Sequence, residues 1–460
     1  MANNGARDPF DNISPIDYRY WSKRLSKYLS ENAFTRCKLE VEQALVRVLA
    51  RRGICAATVV EAVAQACARV TTAEVYAEEE RIHHDVRALV NCIRAHVSDD
   101  AKPYVHMTAT SYDIVDTANA VRYRNAMQEV LLPALTVLLR VLVECVHRYA
   151  NTTQIGRTHG QHAVPITFGF AMAEYVHRLG NSWMALRALT AEIPGKFSGA
   201  VGAYNASSLF FEDPEEFERE VLEELELQPS EFSTQVVPPE ALTRLFSEIT
   251  IAAGILANLA DDLRHLQRTE IGEVGEAFAA DQVGSSTMPQ KRNPINFENA
   301  KSCWKIVMPR IITVFMDQIS EHQRDLTNSA SARTYGEVIA YVVTMTERLA
   351  RTIAKLSVDP ERLAHNLALQ RGLIVAEPLY IMLAALGHPH AHERVRQLTL
   401  RAQREARPLE VIAAEDVELQ PYLARMTPRQ RAILADPTQY TGIAAAKAVK
   451  IADYWKLQLQ

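Results

Sequence analysis

Between Asp113 and Ala150 the chain holds no glycine, while Met127, Leu131, Leu135, Leu138, Leu142, Cys145 and Tyr149 recur at steps of three and four. Apolar side chains at that spacing share one face of an α-helix. Val130, Leu132, Val137, Leu139, Val141 and Val143 fill the gaps between them, so the helix is apolar well beyond one stripe and must be buried on several sides. Pro133 sits inside the run and either kinks the helix or marks a break, because proline removes a backbone donor and crowds the preceding turn.

Similar patterns cover about 167–192, 240–269, 293–320 and 334–357. Five long helices joined by polar loops predict a bundle longer than those of small proteins, of the kind that packs against copies of itself. Composition agrees: 17 glycines in 460 residues is about half the usual frequency, which favours helix over sheet. Strands with alternating β-branched residues are hard to find. The more punctuated ends place boundaries near 108 and 357, giving an N-terminal helical domain (1–107), a central bundle (108–357) and a C-terminal helical domain (358–460). The expected fold class is all-α.

The 50 Lys plus Arg nearly cancel the 55 Asp plus Glu, for a formal net charge of -5, which argues against nucleic acid as a main partner. Six cysteines lie far apart without metal-site or disulfide spacing, so reduced, mostly buried thiols are expected. The start, "MANNGARDPFDN", lacks the basic and apolar regions of a secretory signal. The greasiest segments read as too short for a membrane span or interrupted by charge. A soluble cytoplasmic protein is the expectation.

Four polar patches can carry chemistry. The first, "GSSTMPQKRNP" at 284–294, is too polar and too broken for a core helix. A helical pattern starts near Asn293, so its serines stand close to a helix N-terminus, where backbone N–H groups stabilise negative charge. It is either a lid that closes over a ligand or a solvated surface connection. The second, "GRTHGQHAVP" at 156–165, carries His159 and His162 in what its glycines and proline mark as a loop. One of them is a candidate general acid or base, and a metal site is the lesser alternative, since no carboxylate or cysteine stands nearby with ligand spacing.

The third patch pairs "HHDVRALV" at 83–90 with "YVHMTATSYDIVDTA" at 104–118, setting His84 beside Asp85 and His106 near Thr110, Ser111 and Asp113. Ser111 or Asp113 can equally cap the long helix. The fourth, "EHQRDLTNSASAR" at 321–333, brings Arg324, Ser329 and Arg333, suited to a carboxylate or phosphate. "HPHAH" at 388–392 reads as an exposed loop leading into a helix.

In this order the patches resemble the fumarase/aspartase superfamily, whose signature loop G-S-S-x-M-P-x-K-x-N is similar to 284–294. Within it the resemblance is to the adenylosuccinate lyase family: "HHDVRAL" is similar to its R-H-D-V segment and "GRTHGQHAVPITFG" to its G-R-T-H-G-x-H-A-x-P-x-T-F-G. "KFSGAVGAYNA" at 196–206 and "RGLIVAE" at 371–377 also match family segments, so the likeness spans nearly the whole chain.

The resemblance implies three mostly helical domains, a homotetramer around a twenty-helix core, and active sites shared between subunits. It implies β-elimination, in which a base takes a proton from the carbon next to a carboxylate and the C–N bond breaks to release fumarate. The hard step is the carbanion, which needs preorganised donors, and Lys291, Asn293 and the loop amides suit that task. By carry-over Ser285 is the base and His159 the general acid; chemistry alone would have chosen a histidine as base. Glu298 orients the imidazole. His84, Asp85 and His106 hold substrate, Arg19 and Tyr20 meet a phosphate, and Thr110 with Ser111 holds a succinyl carboxylate. Gln235, Asn299, Arg324, Ser329 and Arg333 fall on further binding positions. No metal and no cofactor are implied, and the partner is a phosphorylated succinyl adduct.

Two departures bear on the amine half of that substrate. After "STQVV" the family commonly continues with basic and acidic residues, where this chain has Pro239, Glu240, Ala241 and Leu242, and Thr108 stands where glycine is common. The alternatives are a lyase acting on another N-substituted aspartate, such as argininosuccinate, a carboxymuconate cycloisomerase, or a non-catalytic relative like the lens crystallins of the superfamily.

Overall fold

The computed structural model describes residues 12–277, 287–288, 290–370 and 372–460. The five long helices stand where the periodicity puts them: Ser111–Arg148, Phe168–Ala191, Glu240–Leu266, Ile295–Met316 and Tyr335–Ile353. Among the described residues the strands form three two-stranded sheets, so the all-α class holds with small local exceptions.

Pro133 does not break its helix. It lacks the N–H that would reach the Glu129 carbonyl one turn back, and the turn Met127–Leu131 just before it widens into a π-helix. The carbonyl of Glu129 accepts instead from Arg24 Nη2 at 3.1 Å. The proline therefore marks a widened turn with a substitute donor.

The reading of the apolar segments needs correction. Ser111–Arg148 and Glu240–Leu266 are both long and apolar enough to cross a membrane by length and composition, and a bent pair, Pro360–Ala368 with Leu373–Ala385, also passes. In each of the two straight helices 61% of the apolar window is buried inside the protein. Helices packed on several sides acquire a span-like composition without a bilayer.

The chain divides into two compact units. The first holds residues up to Leu135 with Asn181–Leu256 and Ser302–Glu347, the second Thr136–Gly180, Ala257–Lys301 and Arg348–Gln460. In the first, the Tyr123 and Tyr335 rings pack against Phe246 at centroid distances of 5.8 and 4.8 Å. In the second, a Cβ on Gly180 would come within 2.5 Å of the Trp455 ring, so the close approach of that buried indole requires glycine. A further core runs through Val375, Leu379, Leu383, Leu398, Leu409 and Ile412. His388 belongs to this region and is buried, its ring tilted against that of Tyr422 at a centroid distance of 4.9 Å, with Nδ1 accepting from the His390 N–H. The start of "HPHAH" is thus interior, where an exposed loop was expected.

Candidate active site

In the first unit, the third patch forms two helix starts. His84 is the N-cap of Asp85–Ala95, its Nδ1 accepting from the Arg87 N–H at 3.2 Å, and Asp85 lies 3.7 Å from the same ring. Thr110 is the N-cap of the long helix and Ser111 its first residue; Asp113 closes a capping box by accepting the Thr110 N–H at 2.8 Å. Capping accordingly falls to Thr110 and Asp113 and leaves Ser111 at the helix start.

Asp113 also accepts the Gly199 N–H at 3.2 Å and pairs with Lys196, both side chains being fully buried. Burial lifts the Asp113 carboxyl above its usual range against the opposing charge of Lys196. The segment at 196–206 is anchored further: Thr117 Oγ1 donates to the Lys196 carbonyl at 2.8 Å, and Glu218 accepts from the Phe197 N–H and the Tyr204 hydroxyl, each at 2.5 Å.

His106 lies on the strained turn before this helix. It has φ +65°, Thr108 has φ +67°, and both stand in a region that side chains other than glycine seldom occupy. That explains why glycine suits position 108. The turn is clamped by Glu42, which is fully buried and accepts the His106 N–H at 3.1 Å and meets ring Nδ1 at 2.7 Å. Burial disfavours the imidazolium, yet the Glu42 charge and hydrogen bond outweigh it and raise the His106 pKa.

Glu42 escaped the sequence reading, as did Lys38 one turn earlier on Glu31–Arg51. Lys38 is nearly buried over the Phe34 ring, its pKa lowered by burial against the charges of Asp85 and Glu31. Glu31, Thr35, Lys38 and Glu42 form a polar stripe at helical spacing, a signal present in the sequence but without a motif.

Gln235 and Arg324 meet: Arg324 Nη1 donates to Gln235 Oε1 at 3.3 Å, and Gln235 Nε2 donates to the Ala200 carbonyl at 3.1 Å. The guanidinium lies 3.4 Å over the Tyr112 ring centroid. Its Nε and Nη2 are buried without a hydrogen-bond partner among the described residues, a costly state that an anion would relieve. Both Tyr112 and Arg324 line a cavity of about 120 Å³ together with Val236–Pro239, Ala241 and Leu242. On the same cavity, burial pushes the Asp116 carboxyl up to about 6 against the Val237 N–H it accepts at 2.9 Å.

Tyr20 and Arg333 line a second cavity, about 290 Å³, together with Arg122. Tyr20 packs edge-on against Tyr341, Arg333 reaches Glu31 at 3.9 Å, and Arg19 is exposed in the turn after Pro15–Asp17. Ser329 is exposed, its N–H donating to the Leu326 carbonyl at 3.1 Å.

In the second unit, the segment expected to be a loop is a β-hairpin. Thr153–Thr158 pairs antiparallel with Gln161–Thr167, and the turn between them is His159–Gly160, with φ +56° and +72°. Two successive positive φ values make the tight turn whose twist matches that of the strands. His159 is thus exposed at the hairpin tip, while burial, then the Arg157 charge, lowers the His162 pKa. Among the described residues no three His, Cys, Asp or Glu side chains converge as a metal site would require.

Fully buried Glu273 holds the hairpin: it pairs with Arg157, accepts from Gln154 Nε2 at 2.7 Å and accepts from Asn366 Nδ2 at 2.8 Å. Three residues on, Glu276 accepts the N–H groups of Asn296 and Phe297 at 2.9 and 3.0 Å. These first-turn donors of Ile295–Met316, expected to serve a ligand's charge, are already occupied by a carboxylate. Lys291 is exposed, Asn293 and Asn299 are half-buried, and Glu298 is exposed on the first turn. Ser285 lies outside the described residues.

Comparison with known proteins fits this arrangement. Residues 17–308 match the family described as Lyase, and 320–431 match Adenylosuccinate lyase C-terminal. A 3-carboxy-cis,cis-muconate lactonizing enzyme from Pseudomonas putida superposes with a TM-score of 0.84 at 26% identity, covering 96% of this chain and 99% of that one. Fold and match together define a lyase of the fumarase/aspartase superfamily. An adenylosuccinate lyase of Pyrococcus horikoshii is 36% identical across 96% of this chain and 98% of its own. An N-acetyl-S-(2-succino)cysteine lyase of Enterococcus italicus is 30% identical, covering 91% of each. The chain belongs to the adenylosuccinate lyase family.

Proposed function

We propose that the chain cleaves succinyl-AMP, and the succinyl-carboxamide imidazole ribotide, to fumarate and the free amine. Ser285 takes the proton from the carbon beside the carboxylate, and His159 protonates the leaving nitrogen. Lys291 and Asn293 meet the charge that develops on that carboxylate, and Glu298 orients the imidazole. A serine alkoxide survives only beside positive charge in a site sealed from water.

One observation carries the substrate class: Arg324 is fixed over Tyr112 and by Gln235, with two buried donors that have no partner among the described residues. This side chain is set for an anion. Thr110, Ser111, His84, Asp85 and His106 supply the carboxylate and nucleotide contacts, and Arg19, Tyr20, Ser329, Arg333 and Asn299 complete the anion-binding set.

The enzyme acts in the cytoplasm as a homotetramer with shared active sites, residues 108–357 supplying the long helices of the common core. Large apolar side chains left exposed on those helices support assembly: Val137, Ile251, Ile312, Phe315 and Met316. An unassembled surface would leave them in water.

A second reading, a lyase for a different succinyl adduct, is favoured by one feature. The departures Pro239, Ala241 and Leu242 line the same cavity as Arg324, so the amine half would meet apolar side chains there. The test is fumarate release across succinyl-AMP, argininosuccinate and N-acetyl-S-(2-succino)cysteine. Highest kcat/KM on succinyl-AMP is expected; silence there with turnover of another adduct selects the second reading.

A further inference from the structure

The Glu31–Arg51 helix turns a carboxylate into the protein at a place where its apolar pattern has no need of one. Glu42 is 0% exposed, and a buried carboxylate persists only when paired and hydrogen-bonded. Among the described residues its hydrogen-bond partners are both on one residue: the backbone N–H of His106 at 3.1 Å and the ring Nδ1 at 2.7 Å. Two contacts to one residue fix both the φ +65° turn and the plane of the imidazole. They also fix the tautomer, since a proton must lie on Nδ1 to make that contact.

We propose that Glu42 is a positioning residue that holds His106 as an imidazolium beside the helix start carrying Thr110 and Ser111, so that the succinyl half of the substrate meets a full positive charge there. The inference rests on the reading of this site as one for a succinyl adduct. At the helix start itself Asp113 closes the cap and is paired with fully buried Lys196, so those two charges offset each other. A fixed cation adds what they lack. The charged groups that act on the ring come from three elements: Glu42 on Glu31–Arg51, Asp113 on the long helix, and Arg87 on Asp85–Ala95. Two are acids and one is a base. Burial and Arg87 oppose the charged ring, and the two carboxylates favour it.

The test is Glu42→Gln, which keeps the shape and removes the charge. Without the carboxylate the imidazolium loses its proton at lower pH, and a shift of one pKa unit is about tenfold in the charged fraction well above that pKa. KM for succinyl-AMP is expected to rise about tenfold at pH 8 and by clearly less at pH 6, with kcat changed less than threefold. A purely structural role would move KM equally at both pH values, and that result overturns the proposal. Glu42→Asp restores part of the pH 8 affinity.

A second measurement does not depend on turnover: titration of the His106 Cε1–H resonance in the assembled native protein, assigned with His106→Asn. A midpoint above the ordinary histidine value of about 6.5 supports the proposal, and a midpoint at or below it refutes it even if Glu42→Gln fails to fold. If the resonance titrates as expected but no succinyl adduct is turned over, the functional reading has failed and the Glu42–His106 pair has not.

Discussion

Lys196→Met offers a quantitative test of how the capped helix start is held together. The substitution keeps most of the side chain and removes its charge, stranding Asp113 with the Thr110 and Gly199 N–H groups at 2.8 and 3.2 Å. Both members of the native pair are 0% exposed. Removing one partner of a buried ion pair costs about 3–5 kcal/mol, because the other charge is left without compensation. The two surviving backbone donors place this case near the lower end, about 3 kcal/mol at pH 8.

The loss has a pH signature. Burial already raises Asp113, and without the ammonium it rises further above the unfolded value of about 3.9. A carboxyl raised in the folded state contributes stability that is fully present below its unfolded pKa and lost as pH rises through the folded one. The deficit of Lys196→Met relative to the native protein is therefore larger at pH 8 and shrinks at pH 5, as Asp113 takes up a proton. Urea unfolding followed by tryptophan fluorescence at the two pH values measures it, with Lys196→Met/Asp113→Asn recovering part of the loss at pH 8. A deficit under about 0.5 kcal/mol at pH 8, the size of an ordinary surface substitution, refutes the reasoning, and so does an equal deficit at both pH values.

Two further substitutions probe the turn and the hairpin. Thr108→Gly relieves a β-branched residue at φ +67° and a buried hydroxyl without a partner among the described residues, and should raise stability by about 1 kcal/mol in the same unfolding assay; a loss of stability contradicts the strain argument. Glu273→Gln loosens the hairpin that carries His159 and is expected to lower kcat about ten- to a hundredfold with KM little changed; a rise in KM at constant kcat shows that the hairpin serves binding instead. Burial holds the thiols of Cys37 and Cys92 at about 11 and of Cys67 and Cys145 at about 12, so native protein at pH 7.5 should resist alkylation at all four, as shown by mass mapping.

What the sequence made legible follows from which forces are local. Helix periodicity is set by side chains three and four apart, and the five long helices accordingly fall within a few residues of their expected limits. A cap at the start of the long helix was visible because capping uses neighbours three residues away, but it was read onto Ser111 or Asp113, where Thr110 is the N-cap and Asp113 closes the box; the His84 cap was not read. The hairpin at His159 was not, since its strands are short and lean on Glu273, more than a hundred residues on. Glu42, Lys38 and Glu276 were invisible for a similar reason. A single charged residue in a helical pattern reads as solvated until the fold shows what it faces.

The expectation that no segment is long and apolar enough for a span failed on composition. Ser111–Arg148 is apolar because it is packed on several sides, and its charges sit where partners reach them: Arg124 Nη1 donates to the Leu225 and Glu226 carbonyls at 2.8 and 2.6 Å. The departures at 239–242, by contrast, were read as bearing on the amine half before any cavity was seen. Of the four, Pro239, Ala241 and Leu242 line the cavity that Arg324 also lines.

The central claim is that an alcohol, Ser285, draws the proton whose loss releases fumarate. Its most direct test is the product ratio from succinyl-AMP for the native protein and for Ser285→Ala, with the oligomer weighed by light scattering in each case. The account predicts fumarate and AMP in equal amounts from the native enzyme and none from the variant, at unchanged assembly and with substrate still bound. Turnover persisting in Ser285→Ala would contradict it.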